Sequence, residues 1–363
     1  MQVGIVGGGQ LGRMLALAGA PLDIRCVTLD PAADSPASQV AASIVGPYDD
    51  LDALARLADG ADVVTYEFEN VPVEAARFLR ELVPVFPPPE ALEVAQDRIA
   101  EKELFDEVGL PTPAYRAVAT FDELNAGLEE LGTPVVVKSR RFGYDGKGQE
   151  VIHDPLRAED AWRAIGEVPA ILERFVAFDR EVSILGVRGR DGDIGFYPLV
   201  ENRHVDGVLR LSLAPAPDLS DDLQAGAERH ARAVMERLEY VGVLAIELFQ
   251  AGEELLGNEM APRVHNSGHW TIEGAETSQF ENHLRAVCGL PLGSTRARGP
   301  SAMVNLIGST PDPVSLADVP GAHLHLYGKE PRPGRKLGHI TLVSEGGGAP
   351  AIEALGRTGV EIP

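Results

Sequence analysis

Glu247 stands in an otherwise apolar run, Leu244-Ala245-Ile246-Glu247-Leu248-Phe249, and Glu259 in a second, Leu256-Gly257-Asn258-Glu259-Met260. A hairpin turning across 250–254 and centred on Glu253 leaves the two carboxylates equidistant from the turn, opposite each other on one face. Like charges directly across a sheet destabilise it, and burial adds a desolvation cost. A divalent cation between them removes both objections. Carboxylate oxygens completed by water and phosphate oxygens are the usual surroundings of nucleotide-bound Mg²⁺. The alternative, a solvated sheet face, fits poorly with the apolar flanks.

Cations and glycines that could hold a phosphate lie elsewhere. Lys138 ends the apolar run Pro134-Val135-Val136-Val137, and a stretch with Gly143, Gly146 and Gly148 follows, able to turn N–H groups onto phosphates. It is not a Walker loop, because Gly146-Lys147 is followed by Gly148 rather than Ser or Thr. Residues 138–147 carry four cations and one anion. Such a basic island either sits in an ion-pair network or binds an anion, and anion binding is the expectation here. A second island, Lys329, Arg332, Arg335 and Lys336 against Glu330, could hold a different phosphate. At the start, Gly7-Gly8-Gly9-Gln10-Leu11-Gly12 fits GxGxxG, with Asp30 18 residues beyond Gly12, where a dinucleotide site places its ribose acid. A tight turn with no ligand remains the alternative.

Positioning these groups needs sheets and a sizeable core, for which 363 residues suffice. The first 95 or so alternate strands (2–6, 25–30, 63–68) with helices (10–18, 49–58 and one opened by Asn70 with Pro72 in its first turn), the pattern of a parallel sheet covered on both faces. Beyond Pro87-Pro88-Pro89, 97–108 reads as a polar helix, and Ser220 caps another with apolar residues at helical spacing. Short strands separated by Pro and Gly follow residue 294. With 32 basic and 55 acidic residues the net charge is −23, which argues against nucleic acid or an anionic membrane as partner. Two cysteines exclude a disulfide scaffold. The first residues do not read as a leader, and no apolar run approaches the roughly 18 residues of a membrane span. A cytoplasmic enzyme or ligand-binding protein is the expectation.

Six runs carry a more specific likeness: GGGQLGRM at the start, TYEFENVP at 65–72, SRRFGYDGKGQ at 139–149, NEMAPRVHNSGHWTIEG at 258–274, SQFENHLRAV at 278–287 and HLYGKEPRPGRKLGHI at 325–340. In these, the chain resembles the ATP-grasp superfamily and, within it, the N5-carboxyaminoimidazole ribonucleotide synthetase family of ATP-dependent carboxylases in purine biosynthesis. The resemblance implies a mixed α/β and α+β fold: a Rossmann-like parallel sheet over 1–97, a split ATP-binding region over 98–293 with a mobile subdomain at about 115–180, and a small substrate-phosphate region over 294–363. It also implies a homodimer.

Matched motif by motif, the resemblance implies that Arg98, Lys138 and Asn258 meet ATP phosphates, with Gly143 and Gly146 in the covering loop. Glu173 and Phe175 would lie at the adenine hinge, and Glu181 would hold the ribose. Glu247 and Glu259 would ligate Mg²⁺, with Mn²⁺ a possible substitute. Many ATP-grasp enzymes have Asn two residues after the second Glu, where this chain has Ala261, so water or Asn266 would complete the shell. Arg263 would orient bicarbonate, with His265 and Asn266 beside it. His265 or Asp145 would take the proton, and Tyr144, Asp145 and Lys147 would close over the centre. Gln10, Leu11 and Glu67 would face the ribonucleotide, and Lys329, Arg335 and Lys336 would grip its 5′-phosphate. The implied reaction joins bicarbonate to 5-aminoimidazole ribonucleotide at the expense of ATP, through carboxyphosphate. The alternatives are a formate-dependent glycinamide ribonucleotide transformylase, a biotin-carboxylase-like ligase, an NAD-dependent oxidoreductase and a non-catalytic nucleotide sensor.

Overall fold

Short apolar strands and intervening helices build the first sheet. In the computed structural model, which describes residues 1–141, 143, 148–316, 318–343, 352, 353, 356, 360 and 362, β1 (Gln2–Val6), β2 (Arg25–Asp30), β3 (Ala42–Val45) and β4 (Val63–Tyr66) pair in parallel in the order β3-β2-β1-β4. Helix α1 (Gln10–Gly19) covers one face, and α2 (Leu51–Ala58) with α3 (Val73–Leu82) covers the other. Burial on both sides is why β1 and β4 read as nearly unbroken apolar runs. The third helix departs from the sequence expectation. It begins at Val73 after Pro72, and Asn70 does not cap it. A residue preceding proline is driven out of the helical region, so Val71 stays outside the helix.

After α4 (Pro89–Ala95), the helix α5 (Arg98–Glu107) is capped by Asp97, whose side chain accepts the Ile99 N–H. A small antiparallel sheet then forms from β5 (Tyr115–Val118), β6 (Val135–Ser139), β7 (Gln149–Ile152) and β8 (Ala170–Arg174), in the order β5-β8-β6-β7. Helices α6 (Phe121–Leu131) and α7 (Ala158–Ala164) close its core.

The remaining strands make one nine-stranded antiparallel sheet. They are β9 (Arg180–Arg188), β10 (Ile194–Phe196), β11 (Val200–Val205), β12 (Val208–Ala214), β13 (Gly242–Ala251), β14 (Glu254–Ala261), β15 (Ser301–Ile307), β16 (Ala322–Leu326) and β17 (Lys336–Val343). Their order is β14-β13-β9-β11-β12-β15-β17-β16, with β10 on β9. The strands after 294 therefore continue the large sheet through β12–β15 pairing. Helix α8 (Asp221–Arg237), capped by the Ser220 hydroxyl as expected, packs Leu223, Ala227, Ala231 and Val234 against Val182, Ile184, Leu244, Ile246 and Leu248. A short helix α9 (Thr271–Gly274) precedes α10 (Gln279–Cys288), which packs against α1 and β13. Among the described residues no helix is long and apolar enough to cross a membrane.

Candidate active site

Alternation along β13 places Leu244, Ile246 and Leu248 in the α8 core, so Glu247 points to the other face. There it sits directly across from Glu259 of β14. The expected pairing is present, but its geometry differs from the one expected. Ala251 pairs with Glu254, so the turn is centred between Gly252 and Glu253 rather than on Glu253. Counted from that turn alone, Glu247 would oppose Asn258. A β-bulge at Asn258 adds one residue to β14 and brings Glu259 opposite Glu247. Bulges near active sites re-aim side chains in this way.

Both carboxylates open onto a cavity of about 520 Å³ bounded by residues of the two antiparallel sheets and by the segment that follows β4 of the parallel one. Burial, and then the facing Glu259, push the Glu247 carboxyl above the usual carboxylate range. Burial opposes ionisation of Glu259 as well, but Arg98 and Lys138 outweigh it and hold its pKa down. Arg98 Nη1 donates to Glu259 Oε2 at 3.1 Å. This facing pair of carboxylates on one cavity wall fits a divalent cation, as does the buried Asn266 Oδ1, which has no hydrogen-bond partner among the described residues.

Arg263 lines the same cavity. Its Nε donates to Glu69 Oε2 and its Nη1 to Val264 O at 3.0 Å, which fixes the guanidinium plane. Burial would raise the Glu69 carboxyl, yet Arg263 holds it down at about 2. Glu69 carries no catalytic pattern of its own in the sequence, although it lies inside the TYEFENVP run.

His265 is oriented by a chain of buried hydroxyls and an amide. Ser212 Oγ donates to Asn202 Oδ1, Asn202 Nδ2 to Ser183 Oγ, and Ser183 Oγ to Ser267 Oγ. His265 Nδ1 accepts from the Ser267 N–H at 3.3 Å and lies 2.9 Å from Ser267 Oγ. Nε2 then carries the proton and faces Glu247 Oε1 at 3.3 Å. Burial and Arg263 lower the imidazole to about 3, so it is neutral. His265 thus turns Nδ1 to Ser267 and Nε2 to Glu247.

Three cations of the first basic island have acidic partners. Lys138 Nζ donates to Glu173 Oε2 at 2.9 Å and to Asn258 Oδ1 at 3.3 Å, while Arg140 and Arg141 both bind the carboxylate of Asp97. The Glu173 carboxylate faces Lys138, and the Phe175 N–H donates to Pro134 O. Glu181 lines the cavity and pairs with His204 Nδ1, a residue sequence reasoning passed over because a single His on a polar strand carries no signal. Gly143 lines the cavity too. Tyr144, Asp145, Gly146 and Lys147 lie outside the described residues.

The glycine turn is filled by the protein itself. Glu67 accepts from the N–H groups of Gly9 and Gly12, and Asp30 from that of Gly8 at 2.9 Å. Asp30 also accepts from Ala32 N–H and Tyr48 OH. Gly7 has φ +109°, and a Cβ there would strike Glu67 Cγ. The amides that a dinucleotide pyrophosphate needs are spent on internal carboxylates, so the NAD reading is overturned. Gln10, Leu11 and Glu67 remain on the cavity wall, and Gln10 Oε1 accepts from Lys329 Nζ. Lys336 lines the cavity as well; Arg335 lies outside that wall and donates to Glu330 O at 3.1 Å.

Three family models match in order: a ribonucleotide synthetase preATP-grasp domain over 1–96, an ATP-grasp domain over 103–280 and a phosphoribosylaminoimidazole carboxylase C-terminal domain over 301–348. The N5-carboxyaminoimidazole ribonucleotide synthase of Pseudomonas aeruginosa is 52% identical over 342 residues, 94% of each chain. This chain belongs to the N5-carboxyaminoimidazole ribonucleotide synthetase family. The crystal structure of the Thermus thermophilus synthetase superposes with a TM-score of 0.95 at 58% identity, covering 99% of both chains. The Aspergillus clavatus N5-carboxyaminoimidazole synthase, solved in complex with ADP and 5-aminoimidazole ribonucleotide, gives 0.90 at 34% identity over 98% of both. Membership in this synthetase family agrees with a fold in which two antiparallel sheets and the segment leaving the parallel one border the cavity.

Proposed function

We propose that this enzyme carboxylates 5-aminoimidazole ribonucleotide with ATP and bicarbonate, giving N5-carboxyaminoimidazole ribonucleotide, ADP and phosphate. The observation that carries this reading is the single cavity onto which Glu247, Glu259 and Arg263 all open, with Gln10 and Lys336 on its wall. ATP lies with its phosphates near Arg98, Lys138 and Asn258 and its ribose near Glu181. Mg²⁺ is held by Glu247 and Glu259, with Asn266 Oδ1 able to join them; when bound, it neutralises charge on the phosphate oxygens.

A bicarbonate oxygen attacks the γ-phosphorus, ADP departs, and carboxyphosphate results. The exocyclic amine of the ribonucleotide then attacks its carbonyl carbon and phosphate leaves. Two anions must meet in the first step, so a fixed cationic fork is needed where they approach. Arg263, locked by Glu69 and Val264 O, supplies it. The comparison that tests the reading is ADP release with bicarbonate and 5-aminoimidazole ribonucleotide against formate and glycinamide ribonucleotide. Turnover with the second pair alone would overturn it.

The second basic island holds the 5′-phosphate. Arg335→Ala is expected to raise KM for the ribonucleotide by about tenfold, the cost of one charge-assisted contact, while KM for ATP stays within about twofold. Equal effects on both constants would remove this role. Lys329 adds a pH dependence. Burial, and then Arg335, lower its ammonium to about 8, so the cation is present below pH 8 and lost above it. kcat/KM for the ribonucleotide should therefore fall about fivefold between pH 8 and 9, and Lys329→Arg, charged throughout, should flatten that fall.

A further inference from the structure

Lys102 is a lysine with 1% of its surface exposed that no step above uses. Its Nζ donates to Gly257 O at 2.9 Å and to Asn258 O at 2.8 Å, the carbonyls on either side of the point where the bulge enters β14. β14 is an edge strand, whose outward N–H and C=O groups need cover. Helix α5 provides it with alternating polarity. Glu101 accepts the Met260 N–H at 2.6 Å, Lys102 takes the two carbonyls, and one turn earlier Arg98 reaches Glu259 itself. Phe105 packs where a Cβ on Gly257 would lie, so the helix sits close against the bulge.

The bulge decides which way Glu259 faces. Leu255 and Met260 both belong to the α8 core, although one number is odd and the other even. Alternation would send positions 255, 257 and 259 to the same side, and only the extra residue at 258 turns Glu259 out of the apolar core and into the cavity opposite Glu247. Lys102 holds the backbone at that inversion and lines no part of the cavity.

We propose that Lys102 is a positioning residue for the metal site: by clamping the carbonyls of Gly257 and Asn258 it maintains the bulge that aims Glu259 at Glu247. This rests on the reading of Glu247 and Glu259 as the Mg²⁺ ligands. The test is the free Mg²⁺ concentration that half-saturates ADP binding, followed by calorimetry, and ADP release at saturating ATP, bicarbonate and ribonucleotide, both measured for the wild type, Lys102→Met, Lys102→Gln and Glu259→Gln. Lys102→Met should raise it by about 10- to 100-fold, as loss of a group supporting a metal ligand does. KM for the ribonucleotide should stay within about twofold, since the hydrogen bonds of Lys102 go to the bulge and not to the second basic island. Lys102→Gln, able to reach one carbonyl, should fall between. A loss of folded protein alone would lower apparent kcat and leave the Mg²⁺ midpoint in place.

Folded Lys102→Met or Lys102→Gln with a wild-type Mg²⁺ midpoint overturns the proposal, as does failure of both variants to fold, which would assign Lys102 to the fold itself. If Glu259→Gln keeps the wild-type Mg²⁺ dependence, the metal reading has failed; if it loses that dependence while Lys102→Met retains it, only the role of Lys102 has.

Discussion

Glu259→Gln should lower kcat by about 10³-fold or more, since the charge that develops on the phosphate oxygens then lacks its metal-binding partner. The substitution keeps the shape of the side chain and removes its charge. In the free protein this relieves the repulsion with Glu247 and costs the contact with Arg98 Nη1. These changes oppose each other, so Tm should move by no more than about 4 °C, the shift of roughly 1 kcal/mol in a domain of this size class. Calorimetry should also find ADP binding that no longer responds to Mg²⁺. Turnover within a factor of ten of wild type would remove the metal role of the pair.

Arg263→Lys is expected to fail almost as badly as Arg263→Ala, each lowering kcat by about 10²- to 10³-fold with KM for ATP little changed. Lysine retains the charge but not the planar fork, of which Nε and Nη1 are already committed to Glu69 and Val264 O. Arg263→Ala has a second consequence. Glu69 is held down at about 2 against its own burial, and without the guanidinium that burial would prevail and the carboxyl would take up a proton. Bicarbonate saturation curves separate the two effects: a lost orienting group raises the bicarbonate requirement in both variants. Full activity in Arg263→Lys would show that charge alone suffices and would sink the role of the planar fork.

Much of this site was legible in the residue types. A lone acid in each of two apolar runs identifies the Glu247–Glu259 pair, because an unpaired buried carboxylate is too costly to occur without a purpose. The strand–helix alternation of the first 95 residues likewise identifies the parallel sheet, since burial on both faces demands apolar strands. Glu69, His204, Glu101 and Lys102 were not legible. Each is an ordinary charged or polar residue on a helix, loop or strand, and its role comes from a partner far away in sequence. The ion pairs of the basic residues 138, 140 and 141 were hidden for the same reason: their acidic partners, Asp97 and Glu173, are distant in the chain.

The GxGxxG turn shows the limit most sharply. Spacing alone satisfies the dinucleotide pattern, but whether the turn's amides are free depends on Glu67 and Asp30, which tertiary packing carries into it. The hairpin shows it again. Composition established that two carboxylates must share a face, whereas one inserted backbone residue, gripped from a separate helix, decided that they do. Burial preferences and periodicity are local properties of the chain and can be read along it. Hydrogen-bond satisfaction and charge pairing depend on which distant groups arrive within 3 or 4 Å, and only the folded arrangement of the three sheets settles that.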